Sequence, residues 1–568
     1  PLVIGVTSHR NLVAGELESL RAAVRGFLMQ LRREYPELPL VVLSSLAEGG
    51  DQLVAGEALA IGATLVAPLP LPLDLYAQDF PDASLRDTFA GLCARASILV
   101  LPLLADNTDA AVAGAGAARD RQYAQAGVFV ASHCHILLAL WDGRETGLLG
   151  GTGQVVRYAL DSVMPGLVEA RPRDQAHLEP VDDSHVFHLA CSRQEVDGSV
   201  LPPAAPLSPG KSRWLTQKQV GAVGEGMPVG LRRMLARMQA FDEDRRRHAA
   251  AIAANAAASA ADRRAGDEVL DGLLGVADTL AVQFQKRVLL TLRALHWLAA
   301  LTGICFLVYG ELPSGSPAQT LAIYGFLLLF AAGGGVAWLA RRRDWHRRYV
   351  DYRALAEGLR VQRWWRRAGV GATGPSAFAH EDFMQEQDVE LGWIRNVMRA
   401  AGIDGADDPQ VSDAALDAVI ADWIGAPGHG GQLDYFSSKS AQRRRLHASA
   451  QALIRACLWG SLAIAACLAL FQGWLGVGNA GSLVAVMGVL AIVAAARESY
   501  AFRKGDKELA KQYAYMLALF NQARTRLDAA SEPGERRAIL RVLGEAALAE
   551  HSKWALLHRE RPLENTRF

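Results

Sequence analysis

Neither sign of charge is in excess: 59 lysines and arginines are balanced by 59 aspartates and glutamates, a formal net charge of zero. A chain so balanced has no general attraction for a phosphate backbone, so nucleic acid is not expected as the main partner. Cysteine is scarce and scattered. Its six copies, Cys93, Cys134, Cys191, Cys305, Cys457 and Cys467, form no CxxC pair. They read as small buried hydrophobes of a reducing compartment, not as a disulfide framework or a zinc site. The N-terminal part contains no G-x-G-x-x-G with a downstream acid and no G-x-x-x-x-G-K-[ST], which disfavours ordinary dinucleotide and triphosphate sites. Finally, the 41 residues from Ala456 to Ala496 hold no Asp, Glu, Lys, Arg or His.

That last absence turns attention to what is present. A helix needs about 20 apolar residues to cross hydrocarbon, and 456–496 holds two such spans, 456–475 and 480–496, around a turn near Gly476–Gly481. An earlier stretch, 288–340, has the same layout, with spans at 288–310 and 320–340 around the short ELPSGSPAQ segment. Cations crowd all four outer ends: Lys286 and Arg287, Arg341–Arg343, Arg443–Arg445 with Arg455, and Arg497 with Lys504. The two opposite turns contain only Glu311. The positive-inside rule then puts both termini in the cytoplasm of a multi-pass protein of the inner or plasma membrane. Arg293 and His296 are ionisable groups inside the first span, where they either snorkel or face a bundle interior. Small-residue faces at Ala331–Gly335 and Ala463–Ala466 permit close helix contacts in lipid.

With 568 residues, 51% of them hydrophobic, the chain has room for a soluble domain as well. Its start, PLVIGVTSHR, has no signal-peptide layout and reads directly as a strand, so the N-terminal domain is expected to stay cytoplasmic. Short apolar runs at Leu2–Val6, Leu40–Leu43, Thr64–Pro68, Ser97–Leu101 and His135–Leu140 alternate with helical segments. This predicts an α/β, Rossmann-like domain with a mostly parallel sheet. Such sheets bind ligands beyond the C-terminal ends of their strands, so the residues just after each run are the informative ones.

Three of those loops carry chemistry. The first offers Gly5, Thr7, His9 and Arg10; the second Ser44, Glu48, Gly49, Gly50 and Asp51; the third Trp141 and Asp142, then Gly150, Gly151, Thr152, Gly153 and Gln154. Glycines let a backbone approach a phosphate, and the first turn of a helix supplies free N–H donors. Thr152 adds a hydroxyl, Arg10 a charge partner, and Asp51 or Asp142 an acceptor for a ribose or base. Together they predict a site for a nucleotide-type ligand, with no further cofactor. His133 and His135, flanking Cys134, and His185 and His188 are read as structural. The 80–95 segment is either a lid over the pocket or plain aromatic packing.

The stretches GVTSHR, SSLAEGGDQLVA, APLPLPLDLYAQDF, HCHILLALWDG and GGTGQ resemble the SLOG superfamily. This is the Rossmann-like fold of cytokinin-activating LOG proteins, of DprA and of nucleotide sensors in bacterial conflict systems. The resemblance covers about residues 1–200 and implies a bound nucleotide or nucleotide-derived ligand. LOG enzymes also cleave an N-glycosidic bond with a glutamate in PGGxGTxxE, but Arg157 falls at that position here. A cation can neither stabilise an oxocarbenium-like sugar nor act as its base. Glu48 is the substitute to consider. The stretches WHRRYVDYRALAEGLRVQ and KWALLHRERPLE resemble the two-span SLATT effector modules often joined to SLOG domains, which implies a pore-forming or membrane-perturbing role. Four spans depart from that two-helix form.

The expected organisation is therefore a nucleotide-binding domain over 1–195, a Pro/Gly/Ser-rich linker over 196–226 and a helical connector over 227–287. The first hairpin follows at 288–340, cytoplasmic helical arms and a loop at 341–455, the second hairpin at 456–496 and a C-terminal helical arm at 497–568. Polar helix, hairpin and aromatic-striped helix recur in order, with YRALAEGLRVQ and YAYMLALFNQA as divergent copies, so an ancestral duplication is expected. The acid-rich residues Glu381, Asp382, Glu386, Asp388 and Glu390 read as a solvated face. The leading functional expectation is a homo-oligomeric, membrane-anchored nucleotide sensor. The alternatives are a membrane-tethered nucleotide N-glycosidase or phosphoribohydrolase, and a non-catalytic scaffold.

Overall fold

A computed structural model describes residues 1–80, 82–104, 106–145, 147–168, 185–217, 220–258, 268–370, 391–403, 411–426, 428–471 and 477–560. The acid-rich segment, the tail from Arg561 and part of the second hairpin's turn lie outside the described residues. The chain divides into two compact units, one comprising 1–276 with 355–412, the other 277–354 with 413–568.

The first unit is built on a seven-stranded sheet. Strands β1 (Leu2–Ser8), β2 (Leu40–Leu43), β3 (Thr64–Leu69), β4 (Ser97–Val100) and β5 (Ile136–Trp141) are all parallel, with β1 in the middle between β2 and β5. Strands β1, β2, β3 and β5 are almost unbroken apolar runs and largely buried, as expected of strands covered on both faces, whereas the edge strand β4 is largely exposed. Helices α1 (Leu17–Glu34), α2 (Gly50–Ala60), α3 (Leu73–Tyr76), α4 (Ala83–Cys93), α5 (Asp109–Ala113), α6 (Ala117–His133) and α7 (Thr152–Asp161) connect and flank them. Beyond β5 lies β6 (Val186–Ala190), parallel to it.

Two findings change the expected boundaries. Residues 196–226 are not simply a linker. Val200–Leu201 pairs with Arg193–Gln194, and Ser212–Leu215 closes the sheet as an antiparallel edge strand on β6. Trp214 there packs edge-on against Phe27 and Phe187, a burial that the surrounding prolines and glycines hid. The unit also reaches past the first hairpin, because the helix Gly392–Gly402 belongs to it. His135, just before β5, accepts the N–H of Val3 on Nδ1 at 3.0 Å, and its Nε2 lies 3.0 Å from the carbonyl oxygen of Asn396. Both contacts are at the N-terminal edge of the sheet, so this helix lies opposite the edge where ligands bind. Within the same unit, buried Asp271 pairs with Arg367 at 2.9 Å and Arg363 at 3.5 Å.

The second unit is all-helical. Four helices are long and apolar enough to cross a membrane: Glu268–Glu311, which begins in the first unit, then Pro317–Arg342, Gly431–Phe471 and one running from Ala480. They contain the predicted spans 288–310, 320–340 and 480–496 and, of the span 456–475, the described residues 456–471. Their large side chains are left uncovered, as at Leu321 (73% exposed), Leu328 (72%) and Leu470 (77%), the pattern of surfaces that meet hydrocarbon rather than water. Close helix contacts do use small residues, at Gly303 and Gly488 and not at Gly333–Gly335. A Cβ on Gly303 would sit 3.1 Å from Ile492, and one on Gly488 2.8 Å from Leu307. Gly333, Gly334 and Gly335 face open space. Outside the spans, Arg353 approaches Asp278 and Arg559 pairs with Asp351.

The buried histidines make acid stability testable. Burial pushes His135 down to about 3 and His188 down to about 4, while both titrate near 6.5 when unfolded. Between those values the unfolded chain binds protons that the folded chain refuses, so stability falls as pH drops below about 6.5. At pH 5 each residue should cost about 2 kcal/mol relative to pH 7.5, at roughly 1.4 kcal/mol per pH unit. Thermal unfolding of the full chain in nanodiscs should show a pH slope that is shallower for His135→Gln. An unchanged slope would contradict the assignment.

Candidate functional site

A cleft of ≈ 310 Å³ opens at the C-terminal ends of the central strands, where β1, the start of α2 and the start of α7 converge. Of the residues singled out in the sequence, Thr7, His9, Arg10, Asp51, Gly150, Gly151 and Thr152 line it, together with Ser8 and Ser45. Gly5, Ser44, Glu48, Gly49, Gly50, Trp141, Asp142, Gly153 and Gln154 are not part of its lining.

The glycines outside the lining have structural reasons to be glycine. A Cβ on Gly5 would come within 2.9 Å of Val130 on α6. Gly49 has φ +87°, and a Cβ there would be 2.1 Å from the carbonyl oxygen of Arg10. At Gly50 a Cβ would lie 2.5 Å from that of Ser8. The α2 turn thus packs directly onto the loop after β1, which places Asp51 at the cleft. Gly153 similarly abuts the carbonyl of Arg144 at 3.1 Å.

Asp51 is the carboxylate of the cleft. It is 5% exposed and bracketed by the two strand ends, with Ser8 Oγ donating to Oδ1 at 2.6 Å and Ser44 Oγ to Oδ2 at 3.1 Å. Burial raises its carboxyl to about 6, against the opposing pull of these hydrogen bonds and of Arg10. Ser44 therefore serves the site by orienting Asp51.

Cationic and donor groups face the same space. Arg10 is exposed at the cleft, has no carboxylate partner among the described residues, and rests its guanidinium 5.8 Å from the Tyr123 ring centre. Helix α7 begins at Thr152, and the N–H groups of Thr152 and Gly153 have no acceptor among the described residues. Gln154 is engaged elsewhere, its side-chain oxygen accepting the N–H of Gly150 at 3.0 Å. Arg157, at the LOG glutamate position, is 3.8 Å from Glu145 and does not line the cleft.

Behind the lining, Asp142 steadies His9. Its Oδ1 lies 3.0 Å and its backbone nitrogen 3.1 Å from His9 Nε2. Burial opposes the charge of Asp142, but hydrogen bonds from His9 and the Arg144 N–H, with Arg193 nearby, hold its carboxyl below the usual range. Asp142 Oδ2 and Arg193 Nε are 3.8 Å apart, and each is buried without a hydrogen-bond partner among the described residues. Trp141 is structural, since Nε1 donates to Arg144 and its carbonyl faces His188 Nε2 at 2.9 Å.

The sequence reading missed Tyr76, Tyr123, Asn11 and Arg193, all in the lining. Tyr76 ends α3 within the quoted APLPLPLDLYAQDF stretch; Tyr123 sits mid-helix in α6, where periodicity carries no signal of it. Arg119 and Tyr123 both bond to Asp79, which anchors that wall. Phe80 and Phe89 stack on each other 4.6 Å apart and pack against Tyr76, so the aromatic residues after Tyr76 support the wall and do not cover the cleft. His133 Nδ1 lies 2.7 Å from the Phe129 carbonyl, a helix-end contact. Among the described residues no three metal-ligating side chains are gathered.

Compared with family models, curated proteins and solved structures, the chain has no match.

The Asp51 bracket predicts a pH effect that separates from ligand titration. Asp51→Asn keeps an acceptor for Ser8 and presents an N–H₂ to Ser44. The wild type loses stability as pH rises from about 4 to about 6, because its unfolded carboxyl ionises first. Asp51→Asn should therefore gain up to about 3 kcal/mol over wild type at pH 7, and the advantage should vanish near pH 4. Chemical unfolding at the two pH values measures this.

Proposed function

We propose that the cleft binds a nucleotide or nucleotide-derived ligand and that the chain is a membrane-anchored sensor. In this reading the SLOG-like domain and SLATT-like helical region act together in a homo-oligomer at the inner or plasma membrane. The termini and the helical arms are cytoplasmic, as the cationic span ends favour. A bound ligand biases a four-span module that opens or perturbs the bilayer.

The observation that carries the reading is the meeting of Arg10, which has no carboxylate partner among the described residues, with the α7 N-terminus in one cleft. An anion there gains a guanidinium and backbone donors together. The Tyr123 ring offers an apolar face to a base, and Asp51 and Ser45 offer polar groups to a sugar. A volume of ≈ 310 Å³ is at the lower end of ligand sites, about 300–1,000 Å³, and favours mononucleotide size over a dinucleotide.

One observation favours a second reading. A carboxyl raised to about 6 inside a cleft has the character of a general acid or base, so Asp51 would serve a nucleotide N-glycosidase or phosphoribohydrolase. Against it, Asp51 already holds two serines, and neither Glu48 nor Arg157 lines the cleft.

Calorimetric titration of the full chain in nanodiscs with AMP, ADP-ribose, NAD and cyclic dinucleotides should find a binder, with preference for the smaller ligands. Arg10→Ala should weaken that binder at least tenfold, or about 1.4 kcal/mol. Binding by none of the panel would sink the sensor reading. Release of free base from AMP or NAD, lost in Asp51→Asn, would move the assignment to the enzyme.

A further inference from the structure

The second unit holds a larger cavity, ≈ 410 Å³, that the nucleotide reading does not use. Its polar end is made by Arg293 and His296 from the helix Glu268–Glu311 and by Arg497 and Tyr500 from the helix Val477–Lys504. Trp297, Ala300 and Val493 add apolar lining, as does Leu453 just before Arg455. Arg293 Nε is 3.5 Å from Tyr500 Oη, and the Arg497 guanidinium lies 5.5 Å from the Tyr500 ring centre. His296 Nε2 is 3.2 Å from Ser499 Oγ. No carboxylate lines the cavity, and neither Arg293 nor Arg497 has an acidic partner among the described residues.

Arg293, inside the first span, has no counter-charge, which is costly at membrane depth, and Arg497 closes the neighbouring span. Arg293 is six residues beyond Arg287, about 9 Å further along the helix at about 1.5 Å per residue. Ala300 lies seven residues beyond Arg293, about 10 Å deeper on the same scale. Along the two helices Ala300 and Val493 thus lie deeper in the spans than Arg293 and Arg497, an order that matches a lipid headgroup and the start of its acyl chain. We propose that the cavity is a binding site for an anionic phospholipid, with the phosphate between Arg293 and Arg497 and an acyl chain along Trp297, Ala300 and Val493. The proposal rests on these helices being membrane spans. A free phosphate would satisfy the arginines but leave the apolar lining uncovered, which is why a lipid is the better occupant.

The test uses the full chain. Purified in detergent and titrated with dioleoylphosphatidylglycerol or dioleoylphosphatidylcholine, it should retain the anionic lipid at least tenfold better by native mass spectrometry. The Arg293→Ala/Arg497→Ala double variant should lose that preference, and Arg293→Lys/Arg497→Lys should keep most of it. The lysine variant also serves if the alanine variant fails to fold, since its retained charge predicts retained preference while Arg293→Gln/Arg497→Gln predicts loss. Millimolar inorganic phosphate should not displace the lipid. Equal retention of the two lipids, an unchanged preference in the neutral variants, or displacement by phosphate would overturn the proposal. Carbonate extraction of membranes separates this failure from that of the spans themselves: a chain that resists extraction yet shows no lipid preference lacks the site but keeps the membrane assignment.

Discussion

The carboxyl group of Asp51, held between Ser8 and Ser44, is the contact on which the cleft depends. It ties the ends of two neighbouring strands to the first turn of α2, and the tie is possible only because the turn lies almost on the backbone after β1. Any side chain at position 49 or 50 would drive the two segments apart. Close packing therefore puts the carboxyl where water is scarce, and scarcity of water raises it to about 6. Near neutral pH the floor of the cleft carries a charge it holds reluctantly, and Arg10 is the group placed to offset it. Geometry and charge state have one cause.

That cause also explains which parts of the site were legible in the sequence. The strand ends were readable, because parallel strands are apolar runs and the residues that follow them stand out. Thr7, His9, Arg10, Asp51 and the Gly150–Thr152 turn were found in this way, and the cleft brings them together. The roles within the loops were not readable. Glycines that cradle a phosphate and glycines that let two backbones touch are identical as letters, and Gly49, Gly50 and Gly153 proved to be of the second kind. Tyr123 and Arg193 were invisible for the opposite reason: one is an ordinary helical residue and the other lies in a two-residue strand after β6, and only the fold brings them to the cleft. The edge strand at Ser212–Leu215 was lost among prolines and glycines because antiparallel edge strands are short and weakly patterned.

In the helical unit composition was more informative, because length and apolarity alone mark a helix able to cross hydrocarbon. Interhelix contacts were harder to assign. Small residues allow close approach but do not demand it, so Gly303 and Gly488 meet large neighbours while Gly333–Gly335 do not. Arg293 and His296 illustrate the same limit. The alternatives of snorkelling and facing inward are not exclusive, since both side chains reach Tyr500 and Ser499 on a neighbouring helix while lining a cavity.

Sensing, as proposed, requires more than two sites in one chain. A ligand shifts an equilibrium only by its difference in affinity between two states, so some part of the ligand-binding unit must have two arrangements. The connectivity narrows where to look. The chain leaves that unit through the helix Glu268–Glu311 and returns through the helix Trp345–Ala368, and the segments 268–276 and 355–412 are integral to it. Buried Asp271 locks the outgoing helix to the returning one through Arg363 and Arg367, and breaking such a pair by removing one partner is expensive. The ion pairs therefore favour a common shift of these two helices within the unit. The helix Gly392–Gly402, bonded to His135 at the edge opposite the cleft, is the element through which the sheet itself holds the returning chain.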